Sequence, residues 1–108
     1  MDWVLIGEIS DKFGVRYTLW ELASDTRTMY EANVIGWGRG QSVGQIVLYG
    51  DTQSISVTSG FRRRGIASAM VDAIEVRIGR KLKPGAHLTK AGKAFWEARL
   101  ERKNNGND

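Results

Sequence analysis

The chain has 108 residues, enough for one domain with its own core, and its 42% hydrophobic and 26% charged residues exclude a disordered chain. The absence of cysteine excludes disulfides, thiolate metal sites and a cysteine nucleophile, and a single histidine argues against a histidine-rich metal site or a His-paired triad. The formal charge of +4 divides into −3 over residues 1–60 and +7 over residues 61–108, so the second half suits an anionic partner: nucleic acid, a phosphate-bearing cofactor or an acidic membrane.

The first sixty residues read as strands separated by turns. Trp3–Ile9 is an apolar run broken by Gly7 and Glu8, and Asp11-Lys12-Phe13-Gly14 is a turn. Val15–Leu22 is β-branched and aromatic, with Val15, Tyr17 and Leu19 on one face. In Thr28–Trp37, Tyr30, Ala32 and Val34 point one way and Met29, Ile35 and Trp37 the other. Gly36-Trp37-Gly38-Arg39-Gly40 opens no helix, so it reads as a hairpin turn and not as a phosphate loop. Val43–Tyr49 is the next strand, and Ser54–Thr58 the fifth, with Ile55 and Val57 on one face. From Gly65 to Ile78 the period becomes helical, with Ile66, Met70, Ala73, Ile74 and Ile78 forming a stripe that Gly79 terminates. Lys83-Pro84-Gly85 is a connector, and Thr89 is the N-cap of a second helix reaching about Lys103, with Ala91, Phe95 and Ala98 inward. The fold class is therefore α/β in the α+β sense: a mostly antiparallel sheet of about five strands followed by two helices. Residues 1–103 form a single domain, and Asn104 to Asp108 read as a disordered tail. No apolar run approaches the ~18 residues of a membrane span, and Met1-Asp2-Trp3 lacks a signal peptide's basic region, so a cytoplasmic location is expected.

The segment that carries chemistry runs from Ile55-Ser56-Val57 through Gly60-Phe61-Arg62-Arg63-Arg64-Gly65 into Ile66-Ala67-Ser68. The first turn of a helix has N–H groups without intrahelical partners, and the helix dipole adds partial positive charge there. Gly65 lets a ligand approach the backbone, Ala67 is nearly as small, and three arginines surround the point. Residues 62–68 thus read as a pyrophosphate site. The same arginines also fit a solvated cluster capping an ordinary β–α unit.

The arrangement Arg62-x-x-Gly65-x-Ala67, preceded by Ile55-x-Val57 and Phe61, resembles the acetyl-CoA signature of the GNAT superfamily of N-acetyltransferases. Val43-Gly44-Gln45-Ile46-Val47-Leu48 resembles that family's third strand. Pro84-x-x-His87-Leu88-Thr89-x-x-Gly92-x-x-Phe95-Trp96 is similar to the ending of small acetyltransferase-like proteins of actinobacteria and their phages. The resemblance covers roughly residues 30–100. It implies acetyl-CoA as cofactor, with its pyrophosphate on Arg62, Arg63, Arg64, Gly65, Ile66, Ala67 and Ser68 and its pantetheine along Ile55, Ser56 and Val57. It also implies acetyl transfer to a small-molecule or protein amine. Two departures stand out. The first sixty residues contain no helix where the family has two, and Ala94-Phe95-Trp96 stands where many members carry a tyrosine acid.

Tyr30, Glu31 and Asp51 lie on or beside the strands that would flank the cofactor, and His87 carries an imidazole, the side chain type suited to proton transfer near neutral pH, so these four are the candidate proton carriers. The missing tyrosine and helices keep open a degenerate member that binds a protein partner without turnover. Arg62, Arg63, Arg64, Arg77, Arg80, Lys81 and Lys83 keep open a nucleic-acid-binding protein, although no helix-turn-helix or RNA-recognition signature accompanies them. Unbalanced strand edges are compatible with a homodimer.

Overall fold

Period-two alternation over the first half builds an antiparallel meander. The computed structural model describes residues 2–36, 41–50, 52–84 and 90–106. Five strands, β1 (Val4–Ser10), β2 (Arg16–Ala23), β3 (Thr28–Val34), β4 (Ser42–Tyr49) and β5 (Thr52–Val57), lie side by side in sequence order. A single 3-10 turn (Ser59–Phe61) then leads into helix α1 (Ile66–Ile78), which is followed by α2 (Lys90–Gly106). This is the expected α+β architecture of five antiparallel strands followed by two helices. No described helix is long and apolar enough to cross a membrane. The third strand stops at Val34, three residues before Trp37, because the chain turns at Ile35-Gly36, where Gly36 takes φ +91°. Residues 37–40, Asp51 and residues 85–89, which include the connector glycine, His87 and the expected cap Thr89, lie outside the described residues.

Register decides which side chains share the inner face. Glu21, Tyr30, Ile46 and Ile55 form one cross-strand row, and Leu19, Ala32, Gly44 and Val57 the next. Tyr17, Leu19, Tyr30, Ala32, Ile46 and Leu48 are buried with Ile66, Met70, Val71 and Ile74 of α1 in one core. A methyl group on Gly44 would stand 3.0 Å from the Met70 sulfur and 3.3 Å from Ile66, so the missing side chain lets α1 lie close against β4. Gly44→Val is expected to cost about 1–3 kcal/mol by overpacking this contact, read as a lower denaturant midpoint at unchanged m-value. The opposite face carries Thr18, Trp20, Met29, Glu31, Asn33 and Val47. Asn33 is fully buried, and neither end of its amide has a hydrogen-bond partner.

The two helices depart from expectation in informative ways. Val71 joins the buried stripe of α1, which is wider than a single sheet contact requires because α2 lies against the same helix. Among the described residues of α2, Gly92, Phe95, Trp96 and Arg99 turn inward and Ala98 is exposed, while the side chain of Ala91 lies outside the described residues. Arginine turns inward because its guanidinium is bonded to Ser68, Asp72 and Glu75 of α1. Trp96 is buried and meets Phe95 edge-to-face at 5.2 Å. The second helix continues through Gly106, three residues past Lys103 and into the stretch expected as a tail.

Candidate functional site at the junction of β5 and α1

The chain leaves β5 at Val57, makes the 3-10 turn, and enters α1 through Arg62 to Gly65. Gly65 is the N-cap in the left-handed region (φ +83°), with no side chain capping the helix and no acidic residue in its first turn. That leaves the positive end of the α1 dipole without a carboxylate of its own.

Three consecutive arginines go to three different places. Arg62 turns back, and its Nε donates to the Val57 carbonyl at 3.1 Å. Arg63 is exposed and holds φ +63°, the single non-glycine residue with positive φ among those described. Arg64 reaches across 53 positions of sequence to Asp11, with Nε at 2.8 Å from Oδ2. The same Asp11 oxygen accepts the Tyr17 hydroxyl at 2.6 Å, while Oδ1 accepts the N–H groups of Phe13 and Val15 at 2.9 and 3.0 Å. Burial alone would raise the Asp11 carboxyl. The bonds from Tyr17, Arg64 and the two amides outweigh it and hold the carboxyl well below the usual carboxylate range. Burial and the Asp11 bond both push the Tyr17 phenol up, and the Asp11 bond raises the Arg64 guanidinium. The Lys12 N–H completes the latch by donating to the Arg64 carbonyl at 2.8 Å.

This latch changes the reading of several expected binding residues. A Cβ on Gly65 would meet the Lys12 backbone nitrogen at 3.8 Å, so the open side of the glycine faces the β1–β2 turn. Its positive φ, rather than a ligand, is what calls for glycine there. The Ile66 side chain is core, and the Ser68 hydroxyl accepts a bond from Arg99 at 2.9 Å. What remains presented at the junction are Arg62, Arg63, the first-turn backbone at Ile66 and Ala67, and the outer edge of β5 at Ile55, Ser56 and Val57. Ile55 and Val57 turn their side chains to the core face, and Ser56 is exposed on the other.

The candidate proton carriers are not brought together. Tyr30 is 1% exposed beneath α1, where burial and a hydrogen bond to Glu21 push its phenol far up. Glu31, its neighbour in sequence, is buried on the opposite face of the sheet. Asp51 and His87 lie outside the described residues. Of the basic residues offered as a nucleic-acid footprint, Arg64 is bonded to Asp11, Arg77 to both oxygens of Glu21 at 2.8 and 2.9 Å, and Lys81 lies 3.7 Å from Glu75. Three of these seven residues are thus held in pairs with carboxylates. Lys12 and Phe13 were legible only as turn residues. The one sequence signal for more was a phenylalanine at a turn tip. Comparison with protein-family models, with curated proteins and with solved structures finds no match.

Proposed function

We propose that the chain binds acetyl-CoA at the β5–α1 junction and transfers the acetyl group to an amine. The observation that carries this reading is an uncapped helix start, free of acidic residues, joined to an edge strand by one short turn. The donor set fits a pyrophosphate: the exposed guanidiniums of Arg62 and Arg63 beside the first-turn amides. Arg64 and Ser68 are committed elsewhere, so they support the loop and helix pairing and are not offered as ligands to the phosphates. Among the described residues no strand pairs with the outer edge of β5, which offers backbone groups to an amide-bearing arm, with the Val57 carbonyl already taken by Arg62. When bound, acetyl-CoA supplies an acyl group activated as a thioester.

For this chain's own residues the work is mainly positioning, since neither Tyr30 nor Glu31 opens onto the junction. Trp96, buried where many N-acetyltransferases place a tyrosine, favours a second reading in which the cofactor is bound without turnover and the domain engages a protein. Acetyl-CoA at about a hundred times its Kd is expected to add about 2.7 kcal/mol of stability, read as a rise in Tm. Arg63→Glu is expected to weaken that binding about tenfold while the fold persists, because the residue is exposed. No ligand-dependent shift in the unmodified chain sinks the cofactor reading. A shift without thiol release across an amine panel selects the second one.

A further inference from the structure

Phe13 sits at the tip of the β1–β2 turn with 65% of its surface exposed. An apolar ring in that position gains little from the core, yet the backbone beneath it is held from both sides. Asp11 Oδ1 accepts the N–H groups of Phe13 and Val15, and the Lys12 N–H is bonded to the Arg64 carbonyl. The Arg64 guanidinium stands 5.1 Å from the Phe13 ring centre and 6.0 Å from that of Phe61, and the Lys12 ammonium is 5.4 Å from Phe13. Asp11 is the sole carboxylate of the two turns, residues 11–14 and 58–65, and it is buried. The exposed surface they share is therefore aromatic and cationic, carried by Lys12, Phe13, Arg62 and Arg63.

A flat ring flanked by cations on a backbone fixed in advance fits a purine nucleotide, whose base stacks while its phosphates take the charges. The held backbone matters here, because a turn already in place loses little freedom when a base settles on its ring. We infer that Phe13 is the stacking platform for the purine ring of the bound nucleotide, with Lys12 and Arg63 receiving its phosphate groups. The inference rests on the acetyl-CoA reading for the identity of the nucleotide, and it adds that the adenosine end, not only the thioester arm, is recognised. Lys12, an exposed and flexible ammonium, moves off the ring to meet a phosphate oxygen.

The test is isothermal calorimetry with adenosine 3′,5′-bisphosphate, acetyl-CoA and 4′-phosphopantetheine on the full chain and on Phe13→Ala and Phe13→Trp. The bisphosphate is expected to bind the unmodified chain. Phe13→Ala is expected to weaken both it and acetyl-CoA about tenfold, to leave 4′-phosphopantetheine unaffected, and to melt at an unchanged temperature. Phe13→Trp is expected to retain binding. Equal binding of the bisphosphate by Phe13→Ala, or none by the unmodified chain, overturns the platform. If acetyl-CoA still binds in either case, the cofactor reading survives that failure. Phe13-dependent binding of the bisphosphate with no binding of acetyl-CoA upholds the platform and overturns the cofactor reading instead. A single-stranded adenine decamer bound a hundredfold more tightly than the bisphosphate overturns the mononucleotide assignment in favour of a nucleic-acid strand.

Discussion

Asp11→Ala is expected to lower Tm by on the order of 15 °C, the largest loss expected from a single substitution outside the apolar core. The reason is how much converges on one carboxylate. Removing it leaves the Arg64 guanidinium, the Tyr17 hydroxyl and the N–H groups of Phe13 and Val15 without their acceptor. Buried donors left unpaired are more costly than a pair that was never made. Asn is a poor rescue. Its carbonyl oxygen can serve the two amides, but its NH2 then faces two more donors. Tyr17→Phe removes one donor and keeps the carboxylate paired with Arg64, so its loss is expected to be smaller. The pH dependence follows from the depressed Asp11 carboxyl. Its contribution is fully present above the unfolded carboxylate pKa near ~4 and is lost progressively as pH falls through the lower folded value. Between neutrality and about pH 5 the difference between the unmodified chain and Asp11→Asn is therefore expected to be constant, narrowing only in stronger acid. Melting curves across that range check it, and a difference that shrinks already at pH 6 would remove Asp11 as the cause.

The second large effect is expected at Arg99, which fastens α2 to α1. Its side chain is 12% exposed and is bonded to Ser68 Oγ at 2.9 Å, to Asp72 at 2.6 Å and to Glu75 at 3.2 Å. Arg99→Met keeps the volume and removes the charge. The exposed Asp72 is then solvated, whereas the buried Glu75 keeps, among the described residues, the Leu82 N–H at 2.8 Å and the more distant Lys81. A loss of about 3 kcal/mol in chemical denaturation is expected, somewhat short of a fully buried pair because one partner already meets water. Glu75→Gln combined with Arg99→Met is expected to lose less than the two singles together, giving a coupling of about 1–2 kcal/mol in a double-mutant cycle. Additive losses would mean that the Arg99–Glu75 pair contributes nothing to holding α2.

Much of the sheet was legible because its pattern is local. Tyr17 with Leu19, Tyr30 with Ala32, and Ile55 with Val57 alternate on the core face as their period requires. The left-handed cap at Gly79 and the turn at Gly14 were legible for a similar reason, since each needs a positive φ that glycine supplies. On the inner face of α2, Phe95 was placed correctly and Ala98 was not, because hydropathy assigns its neighbour Arg99 to solvent and only the carboxylates of α1 explain why that arginine points inward. The site was half legible. Three arginines in a row mark an anion-seeking turn, but a linear reading cannot tell that the backbone sends Arg64 to a buried aspartate 53 residues earlier. Asp11 itself looks like any turn residue, since a carboxylate that begins a turn and one that anchors a buried cluster are spelled alike. Gly65 read as an opening for a ligand, and its positive φ is a second reason for glycine that a linear reading does not show.

Every strand pairing joins neighbours in sequence, whereas the Asp11–Arg64 pair must wait for the whole meander and the start of α1. Hairpins of this kind close over short loops and assemble early; a link across 53 residues closes late. The latch therefore governs how long the native state lasts more than how quickly it is reached, its energy appearing in the unfolding rate. The turn that carries Phe13 shares that fate. It is expected to come into register with the start of α1 late in folding, after the hairpins have closed.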